Sequence, residues 1–430
     1  MTASSLSTPA PIATTTDGMS VAPDRPNGWF QAMLVFILVV PLIGTFYPPE
    51  SYFGSWGSEN QVEVLPYPIT PVLLLIFSIA SLGMYLALRQ RQRPVHEPMA
   101  YLYLLIAFAS ITMAANPQFA FQRALRLLPL VAFGVLYAQI LPVRQMLRLM
   151  AIAFLISATL SIAISIALPS VGRSANMVGE YSAAWRGATS HKNSAGYSYA
   201  LGVIISSFAL GTRSVNWRIG LAAIGACLVM VVMANSATAL IGMVISLALA
   251  GFIEGMRRMP GDMAPVALIC VVMFIGAGLF LFAADPDISR LLTGRDATLT
   301  GRTDIWDAVR DKISARPIFG YGYAFWGIES PDRSAIWRVV GYTPPHSHNS
   351  WLDLRLQLGL PGFLAIAVLA VSGLLRATIK ALGRRGPTAT LALTILIFVI
   401  SRSFTEVQFS EPGTAGVFWL VWAATLARRA

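Results

Sequence analysis

The sequence has little charge and little cysteine, and both shortages restrict the kind of protein it encodes. Only 12% of its 430 residues are charged, whereas soluble domains carry roughly 25%. Hydrophobic residues make up 56%, and the mean hydropathy is +0.65. The two cysteines, Cys227 and Cys270, lie inside apolar runs, so they form neither a disulfide framework nor a metal set. We predict an all-α polytopic membrane protein.

Apolar runs near the ~20 residues that a helix needs to cross the hydrocarbon layer predict about twelve transmembrane helices. They lie in the stretches 29–47, 67–88, 99–115, 124–141, 146–168, 195–210, 219–235, 238–254, 264–284, 357–378, 388–404 and 413–427. The arginine clusters lie in every second connection between these runs, so all of them fall on one side of the membrane. Because cytoplasmic loops carry the excess of Lys and Arg, both termini are predicted to be cytoplasmic. The net charge of +11 is then explained by topology, without a nucleic-acid partner.

Four regions follow from this topology. Residues 1–28 are rich in Ser, Thr and Pro and lack the features of a signal peptide, so they are predicted to be a disordered cytoplasmic tail. Residues 29–284 hold helices one to nine, and residues 351–430 hold helices ten to twelve. Residues 285–350 are the long polar stretch, with eight basic and eight acidic residues. This stretch is predicted to be a periplasmic catalytic loop, since loops longer than about 60 residues translocate largely regardless of charge.

The loop is predicted to contain a helix over 303–316 with Arg302 at its start, followed by a flexible aromatic turn at 320–323. An arginine fork beside the positive end of a helix suits a phosphate. The alternative is that Arg302 pairs with Asp304 or Asp307 and only fixes the loop. Glu406 and Arg402, near the external end of the eleventh span, are costly there unless they are paired or face a polar cavity, and they are candidates to line the same cleft.

A second external segment carries cations just before the sixth span. It contains Arg186, His191, Lys192 and Asn193. Together with Arg302 these residues present enough positive charge for a diphosphate. The alternative is that Lys192 and His191 only anchor the segment at the membrane surface, and that Asn193 or Ser194 caps the following helix.

His346-Ser347-His348-Asn349 ends the loop. It has no partner at a standard metal-ligand spacing, so no metal is predicted. Residues at i and i+2 diverge on a strand or a helix, so only one histidine is expected to face a site. That histidine has the chemistry to take a proton from a hydroxyl. The alternative is an inert surface histidine.

These motifs resemble those of the O-antigen ligases and surface-polysaccharide polymerases, in particular the succinoglycan-type exopolysaccharide polymerases. His348-Asn349 with Gly359 and Gly362 resembles the ligase pattern H-N-x9-G-x-x-G. The segments 301–306 and 317–322 resemble the upstream "GR..IW" and "P..GYG" blocks of the family, and 187–193 is similar to the segment before the sixth span of polymerase members. The resemblance covers roughly residues 180 to 365.

The resemblance implies a GT-C-like glycosyltransferase that needs no cofactor and no metal. Its donor would be an undecaprenyl-diphosphate-linked glycan, used on the periplasmic side of the bacterial cytoplasmic membrane. By position, His348 would be the catalytic base, and Arg186 and Arg302 would hold the diphosphate. Supporting residues would be Lys192, His191, Asn193, His346, Asn349 and Glu406.

Two functions share these motifs. A polymerase adds lipid-linked repeat units to a growing exopolysaccharide or O-antigen, whereas a ligase moves a finished glycan from the lipid to lipid A-core. We expect a polymerase, because the 191–193 segment is similar to polymerase members; protein O-glycosylation would use the same donor. The expected partners are the lipid-linked donor, a glycan or lipid A-core acceptor, membrane lipid, and a chain-length regulator or export machinery. A transporter is a remote alternative, which would place ionisable residues in the middle of spans.

Overall fold

The computed structural model describes residues 95–174, 183–189, 191–256, 302–383, 386–410 and 415–430, with 79–80, 82–86, 30 and 33. The predicted tail, the ninth span, the cysteine Cys270 and the first part of the loop to Gly301 lie outside the described residues. So do nearly all of the first span and much of the second.

Helices account for the regular structure in this part of the chain, apart from an isolated antiparallel bridge between Arg173 and Trp185. We number the longer ones in chain order: α1 Pro98–Ala109, α2 Pro117–Leu125, α3 Leu127–Ile140, α4 Val143–Ala167, α5 Lys192–Gly211, α6 Trp217–Met233, α7 Ala237–Met256, α8 Arg302–Ala315, α9 Pro331–Val340, α10 Ser350–Leu382, α11 Pro387–Ser403 and α12 Gly416–Arg429. Short helical turns lie at Ser110–Met113, Pro169–Gly172 and Phe325–Gly327.

Five helical segments among the described residues are long and apolar enough to cross a membrane: Pro117–Ile140, Val143–Ala167, Lys192–Gly211, Ala237–Met256 and Ser350–Leu382. Three shorter apolar helical segments accompany them: Pro98–Met113, Trp217–Met233 and Pro387–Ser403. The chain is therefore a nearly all-helical, polytopic membrane protein. Each predicted span from 99–115 to 238–254, and from 357–378 to 413–427, overlaps a described helix. The total of twelve spans stays a prediction.

The last helix, α12, lies in the middle of the bundle. It is buried from Gly416 to Ala427 and packs against α3, α10 and α11. Aromatic rings stack on it from two helices: Phe133 of α3 stacks on Phe418 at 5.6 Å between ring centroids, and Phe154 of α4 stacks on Trp419 at 6.1 Å. Such rings bury large apolar area, so α12 organises the core around which the other helices are placed.

One end of the bundle is closed by ion pairs, which we call the end cluster. The buried carboxylate of Glu97, just before α1, accepts from Arg376 of α10 at 3.4 Å and from Arg428 of α12 at 2.9 Å. Arg429 donates to the carbonyl oxygens of Ala138, Gln139 and Leu141 at the end of α3. The end cluster joins α1, α3, α10 and α12 at the end of α10 opposite to His348.

The other half of α10 is interrupted by a kink at Gly359, where the backbone has φ 64° and ψ −156°. The loop segment 318–322 fills the interruption: the Ile318 carbonyl accepts from Leu360 N–H at 2.8 Å, and Tyr321 N–H donates to the Leu356 carbonyl at 2.8 Å. Gly320 and Gly322 both have positive φ. The flexible aromatic turn predicted at 320–323 is instead buried and hydrogen-bonded, because the kink in α10 exposes backbone groups that need partners.

Candidate functional site

Helix α8 begins at Arg302 and directs its side chain across the site. The guanidinium donates through Nη2 to Oε1 of Glu406 at 3.0 Å and through Nη1 to the Thr405 carbonyl. The alternative pairing of Arg302 with Asp304 or Asp307 is wrong, because Glu406 and Thr405 take its donors and Asp307 pairs with Arg310 of the next turn. Arg302 therefore links the loop to the end of α11.

Glu406 lies at the centre of the site, in the segment that follows α11. Its Oε1 accepts from Arg302 and also from the side-chain amide of Asn193 at 2.7 Å. Its Oε2 lies 3.1 Å from Nδ1 of His348. The carboxylate thus joins the loop, the start of α5 and the histidine turn in one place. We call these residues, with His191, Lys192, Arg186, His346 and Arg402, the charged cluster.

Arg402 lies directly beneath Glu406 and is almost fully buried in α11, with 2% of its surface exposed. Its guanidinium donates to Oγ1 of Thr238 and, at 3.2 Å, to the carbonyl of Asn193. A buried guanidinium is tolerated only beside opposite charge and acceptors, and Glu406 supplies the charge. Arg402 therefore fixes the start of α5 and the start of α7 against α11, one turn before Glu406.

The segment His346–Asn349, which we call the His turn, brings both histidine rings into the cluster. The ring centroids of His346 and His348 are 4.2 Å apart. The expectation that only one ring faces the site is wrong, because the turn is neither strand nor helix: His348 has φ 53°, and its N–H donates to Nδ1 of His346 at 3.2 Å. The left-handed residue reverses the direction that side chains take on extended backbone.

Neighbouring side chains hold the His turn in this shape. Nε1 of Trp306, from α8, donates to the Ser347 carbonyl at 2.8 Å. Asn349 caps α10, since its Oδ1 accepts from the N–H groups of Trp351 at 3.0 Å and Leu352 at 3.2 Å. Asn349 therefore supports the site by ending the turn and starting the helix.

The segment before α5 delivers Arg186 and His191 to the same region. Arg186 is fixed by its own N–H on the Gly172 carbonyl at 2.8 Å and by its Nε on the Val171 carbonyl at 2.7 Å. His191, rather than Asn193 or Ser194, caps α5, because Nδ1 of His191 accepts from the N–H of Asn193 at 3.1 Å. Lys192 is buried, so surface anchoring does not describe it.

The protonation of the cluster follows from its burial and charge. Burial lowers the pKa of His191 to about 4, opposed by Glu406 and assisted by His348, Lys192 and Arg186. Burial together with His348 holds the pKa of His346 well below its usual range. Burial alone would raise the pKa of Glu406, but His348 and the two arginines Arg402 and Arg302 hold it well below its usual range. At neutral pH, His191 and His346 are neutral and Glu406 is ionised.

The three histidines therefore have different bonding roles. His191 and His346 each use Nδ1 to accept a backbone N–H, from Asn193 and His348 respectively. His348 is the histidine whose Nδ1 faces the carboxylate of Glu406. A carboxylate on Nδ1 favours the tautomer that carries the lone pair on Nε2, so His348 is arranged to accept a proton there.

Three of these groups also have the spacing of a metal site. His346, His348 and Glu406 each offer one ligand atom, and these atoms lie within 4.8 Å of one another. The sequence pattern does not indicate this set, because Glu406 is 58 residues from His348. However, both oxygens of Glu406 already accept hydrogen bonds, and the guanidinium groups of Arg302 and Arg402 face the same carboxylate. This positive charge favours an anion over a divalent cation.

All nine candidate residues of the sequence thus fall in one region or, like Asn349, directly support it. The sequence missed the role of Trp306. The signal for Trp306 was its place in the "GR..IW" block, whereas Arg402 was already marked as a charge that must be paired or face a polar cavity. No sequence signal indicates that Glu406 is the common partner of Arg302, Asn193 and His348.

Two comparisons with known proteins bear on this geometry. Residues 221–367 match the model of the O-antigen ligase family (Wzy_C). This range contains Arg302 and His348, and it leaves out Arg186 and Glu406.

Among curated proteins, "Exopolysaccharide production protein ExoQ" of Rhizobium meliloti is 25% identical over 262 residues, which covers 56% of this chain and 59% of the relative. "Putative polysaccharide ligase" of Rickettsia felis is 30% identical over 105 residues, which covers 23% of this chain and 26% of the relative. The chain thus matches about three fifths of the first relative and about a quarter of the second. The resemblance predicted from the motifs is confirmed as a similarity: residues 221–367 of this membrane protein match the O-antigen ligase model, and the chain is similar to a protein of exopolysaccharide production.

Proposed function

We propose that this protein is a membrane glycosyltransferase that polymerises polyprenyl-diphosphate-linked repeat units on the periplasmic face of the cytoplasmic membrane. The observation that carries the proposal is the contact of His348 Nδ1 with Glu406 at 3.1 Å, inside a cluster rich in cations. This arrangement joins a general base to a binding region for negative charge, which is what transfer from a lipid diphosphate requires. The similarity to an exopolysaccharide production protein supports the same class of product.

The proposed reaction is a single displacement at the anomeric carbon of the donor sugar. Nε2 of His348 takes the proton of the acceptor hydroxyl as its oxygen forms the new glycosidic bond. The bond from the anomeric carbon to the diphosphate oxygen breaks, and the polyprenyl diphosphate leaves with the electron pair. Attack from the face opposite the leaving group inverts the anomeric configuration. Glu406 stabilises the imidazolium that forms.

Cations of the cluster stabilise the departing diphosphate. Arg302 and Arg186 come from separate segments, and the pKa of His191 responds to Arg186 and Lys192 together, so these charges act on one region. In the resting site Arg302 binds the Glu406 carboxylate. An incoming diphosphate offers stronger charge and more acceptor atoms to the same guanidinium, so it competes with Glu406 for Arg302.

A ligase is the second candidate, and two observations favour it. The family model is that of O-antigen ligases, and one relative is named a putative polysaccharide ligase. The reaction at the donor would be the same, and the acceptor would be lipid A-core instead of a growing chain.

The test of the chemistry uses purified protein in lipid nanodiscs with a synthetic polyprenyl-diphosphate-linked repeat unit. His348→Asn is the preferred variant, because asparagine tolerates the left-handed backbone at this position. We expect it to lower kcat about 100-fold or more, the usual contribution of a general base. Arg302→Gln is expected to raise KM for the donor and to lower kcat, because the arginine binds charge that grows on the leaving group.

His96→Asn is the matched control, since this exposed histidine lies at the opposite end of the bundle beside Tyr101. It should leave the rate unchanged. Full activity of His348→Asn would refute the proposed base. Intact glycan assembly combined with blocked transbilayer movement of lipid-linked units in both site variants would instead support a transporter.

A deletion strain separates polymerase from ligase. Loss of a polymerase leaves single repeat units on the carrier or on the surface. Loss of a ligase leaves full-length chains on the lipid carrier and a bare core. Analysis of lipid-linked and surface glycans by mass spectrometry and gel electrophoresis reads out either pattern.

A further inference from the structure

The His turn rests on a second carboxylate that faces away from the charged cluster. Asp353, in the first turn of α10, is fully buried. Its Oδ1 accepts from the Ser347 N–H at 3.2 Å and from Nε1 of Trp326 at 2.9 Å. Its Oδ2 accepts from Oγ of Ser410 and from Nε2 of Gln357, both at 3.0 Å. One carboxylate thus receives donors from the His turn, the 325–327 turn, α10 itself and the segment after Glu406.

We propose that Asp353 is a positioning residue that holds His348 against Glu406 through the Ser347 peptide. The importance of this role for catalysis rests on the proposed function. Asp353 does not touch the reacting groups. It fixes the backbone on which His348 is carried and, through Ser410, the segment that carries Glu406.

The His turn needs such support because its shape is unfavourable by itself. A left-handed residue other than glycine is strained, and it persists where the surroundings determine it. Ser347 is fully buried, and side chains satisfy both of its backbone groups: Asp353 accepts from the N–H, and Trp306 donates to the carbonyl. Loss of the Asp353 acceptor would leave a buried N–H without its partner and would release one side of the turn.

The network also ties the two halves of the proposed dyad to each other. Ser350, one turn before Asp353, donates from Oγ to the Glu406 carbonyl at 2.9 Å and accepts from the Gln408 N–H at 2.6 Å. Ser410 then bonds to Asp353. The segment 406–410 is therefore held against the start of α10 at both of its ends. The distance from His348 to Glu406 depends on this junction.

The test compares Asp353→Leu, Asp353→Asn and the matched control Glu97→Leu, each in nanodiscs. Asn keeps one oxygen for Ser347 and Trp326, while Leu removes both acceptors. Glu97 is an equally buried carboxylate in the end cluster, remote from the His turn. Two readouts are used: the rate at which diethyl pyrocarbonate modifies His348, measured by mass spectrometry, and kcat and KM as functions of pH.

For Asp353→Leu we expect a changed modification rate of His348, a loss of kcat of about 100-fold, and a donor KM within about three-fold of wild type, since a displacement near 1 Å has effects of this size. Asp353→Asn should lose about ten-fold or less in kcat. Glu97→Leu should lose thermal stability while both readouts stay at wild-type values for the folded fraction.

If His348 in folded Asp353→Leu were modified at the wild-type rate, the positioning role would be overturned. The same conclusion would follow if Glu97→Leu changed the modification rate and kcat as much as Asp353→Leu does. The modification readout does not depend on the reaction. If His348→Asn were active while Asp353→Leu still changed the modification rate, the positioning role would stand and the proposed function would fail. If His348→Asn were inactive while the modification rate of His348 in Asp353→Leu stayed unchanged, the proposed function would stand and the positioning role would fail.

Discussion

At the scale of single residues, the site uses one amino-acid type for two purposes. His191 and His346 act as neutral acceptors for backbone N–H groups, while His348 faces a carboxylate. Burial among cations keeps the first two uncharged, which lets Nδ1 accept a hydrogen bond. Such neutral histidines make the fold sensitive to acid at a pH where carboxylates are still ionised.

His191 gives a prediction for stability against pH. In the unfolded chain it binds a proton below about pH 6.5, whereas in the folded protein its pKa is about 4. Because the unfolded state binds more protons between these values, the stability that comes from His191 is complete above pH 6.5 and falls as the pH decreases toward 4. The loss between pH 7 and pH 5 is about 2 kcal/mol, at about 1.4 kcal/mol per pH unit.

His191→Asn removes this titration and keeps a residue that caps helices well. We expect its melting temperature in detergent to fall less than that of wild type between pH 7 and pH 5. His96→Asn, at an exposed position, should retain the wild-type fall. An equal fall in His191→Asn would contradict the neutral state inferred for this histidine.

The residues of the site could be found in the sequence, but their partners could not. Arg302, His348 and Arg186 stand out because they are polar groups in an apolar chain, and motifs mark two of them. The contact of His348 with Glu406 joins positions 58 residues apart. It depends on how α10 and α11 pack, which no local pattern encodes. The convergence of His346 with His348 likewise depends on one positive φ angle.

At the scale of elements, Gly359 of the H-N-x9-G-x-x-G pattern and Gly320 of the "P..GYG" block have a packing role. A Cβ at Gly359 would collide with the Ile318 carbonyl oxygen, and its φ of 64° with ψ −156° lies in a region used almost only by glycine. A Cβ at Gly320 would lie 2.6 Å from the Leu356 carbonyl oxygen. These glycines let the loop enter the kink of α10, so they help to place the loop against this helix.

Gly359→Ala is therefore expected to destabilise the protein by about 3 kcal/mol or more, from backbone strain and the displaced loop. The melting temperature and the rate of proteolysis in the 302–349 segment should both report the change. Gly251→Ala is the control: this glycine lies inside α7 with open space around its Cα. Alanine there should be neutral or stabilising by about 0.5–1 kcal/mol.

A Gly359→Ala protein with wild-type stability and an equally protected loop would contradict this account.

Helices such as α4 and α10 were predictable from the sequence, because a run of about 20 apolar residues is typical of a membrane-spanning helix. The turn at 320–323 was not, since its burial depends on the kink to which it binds.

At the scale of the whole molecule, two polar assemblies lie at opposite ends of an apolar bundle. The charged cluster gathers the proposed chemistry, and the end cluster gathers Glu97, Arg376 and Arg428. The end cluster joins the start of α1 to the ends of α10 and α12. We infer that its role is to fix these helices, because its carboxylate is buried and its arginines are partly exposed.

A double-mutant cycle on Glu97→Gln and Arg428→Gln tests that role. Each single variant should lower stability by about 2 kcal/mol, less than for a fully buried pair because the arginines reach solvent. The double variant should lose less than the sum, with a coupling energy of about 1 kcal/mol. Activity per folded molecule should stay at the wild-type value in all three. Strictly additive losses would show that the pair does not interact.

The length of helix α10 indicates the depth in the membrane at which the proposed chemistry takes place. Its two parts, on either side of the Gly359 kink, together advance at most about 40 Å from Ser350 to Arg376, at 1.5 Å per residue. A bilayer measures about 40–45 Å when its headgroup layers are included. With Arg376 at one headgroup layer, the His turn reaches the headgroup layer of the opposite leaflet. A diphosphate carried on a lipid lies at that height, so the donor would meet Arg302 and His348 by diffusing sideways within its leaflet, without being lifted into water.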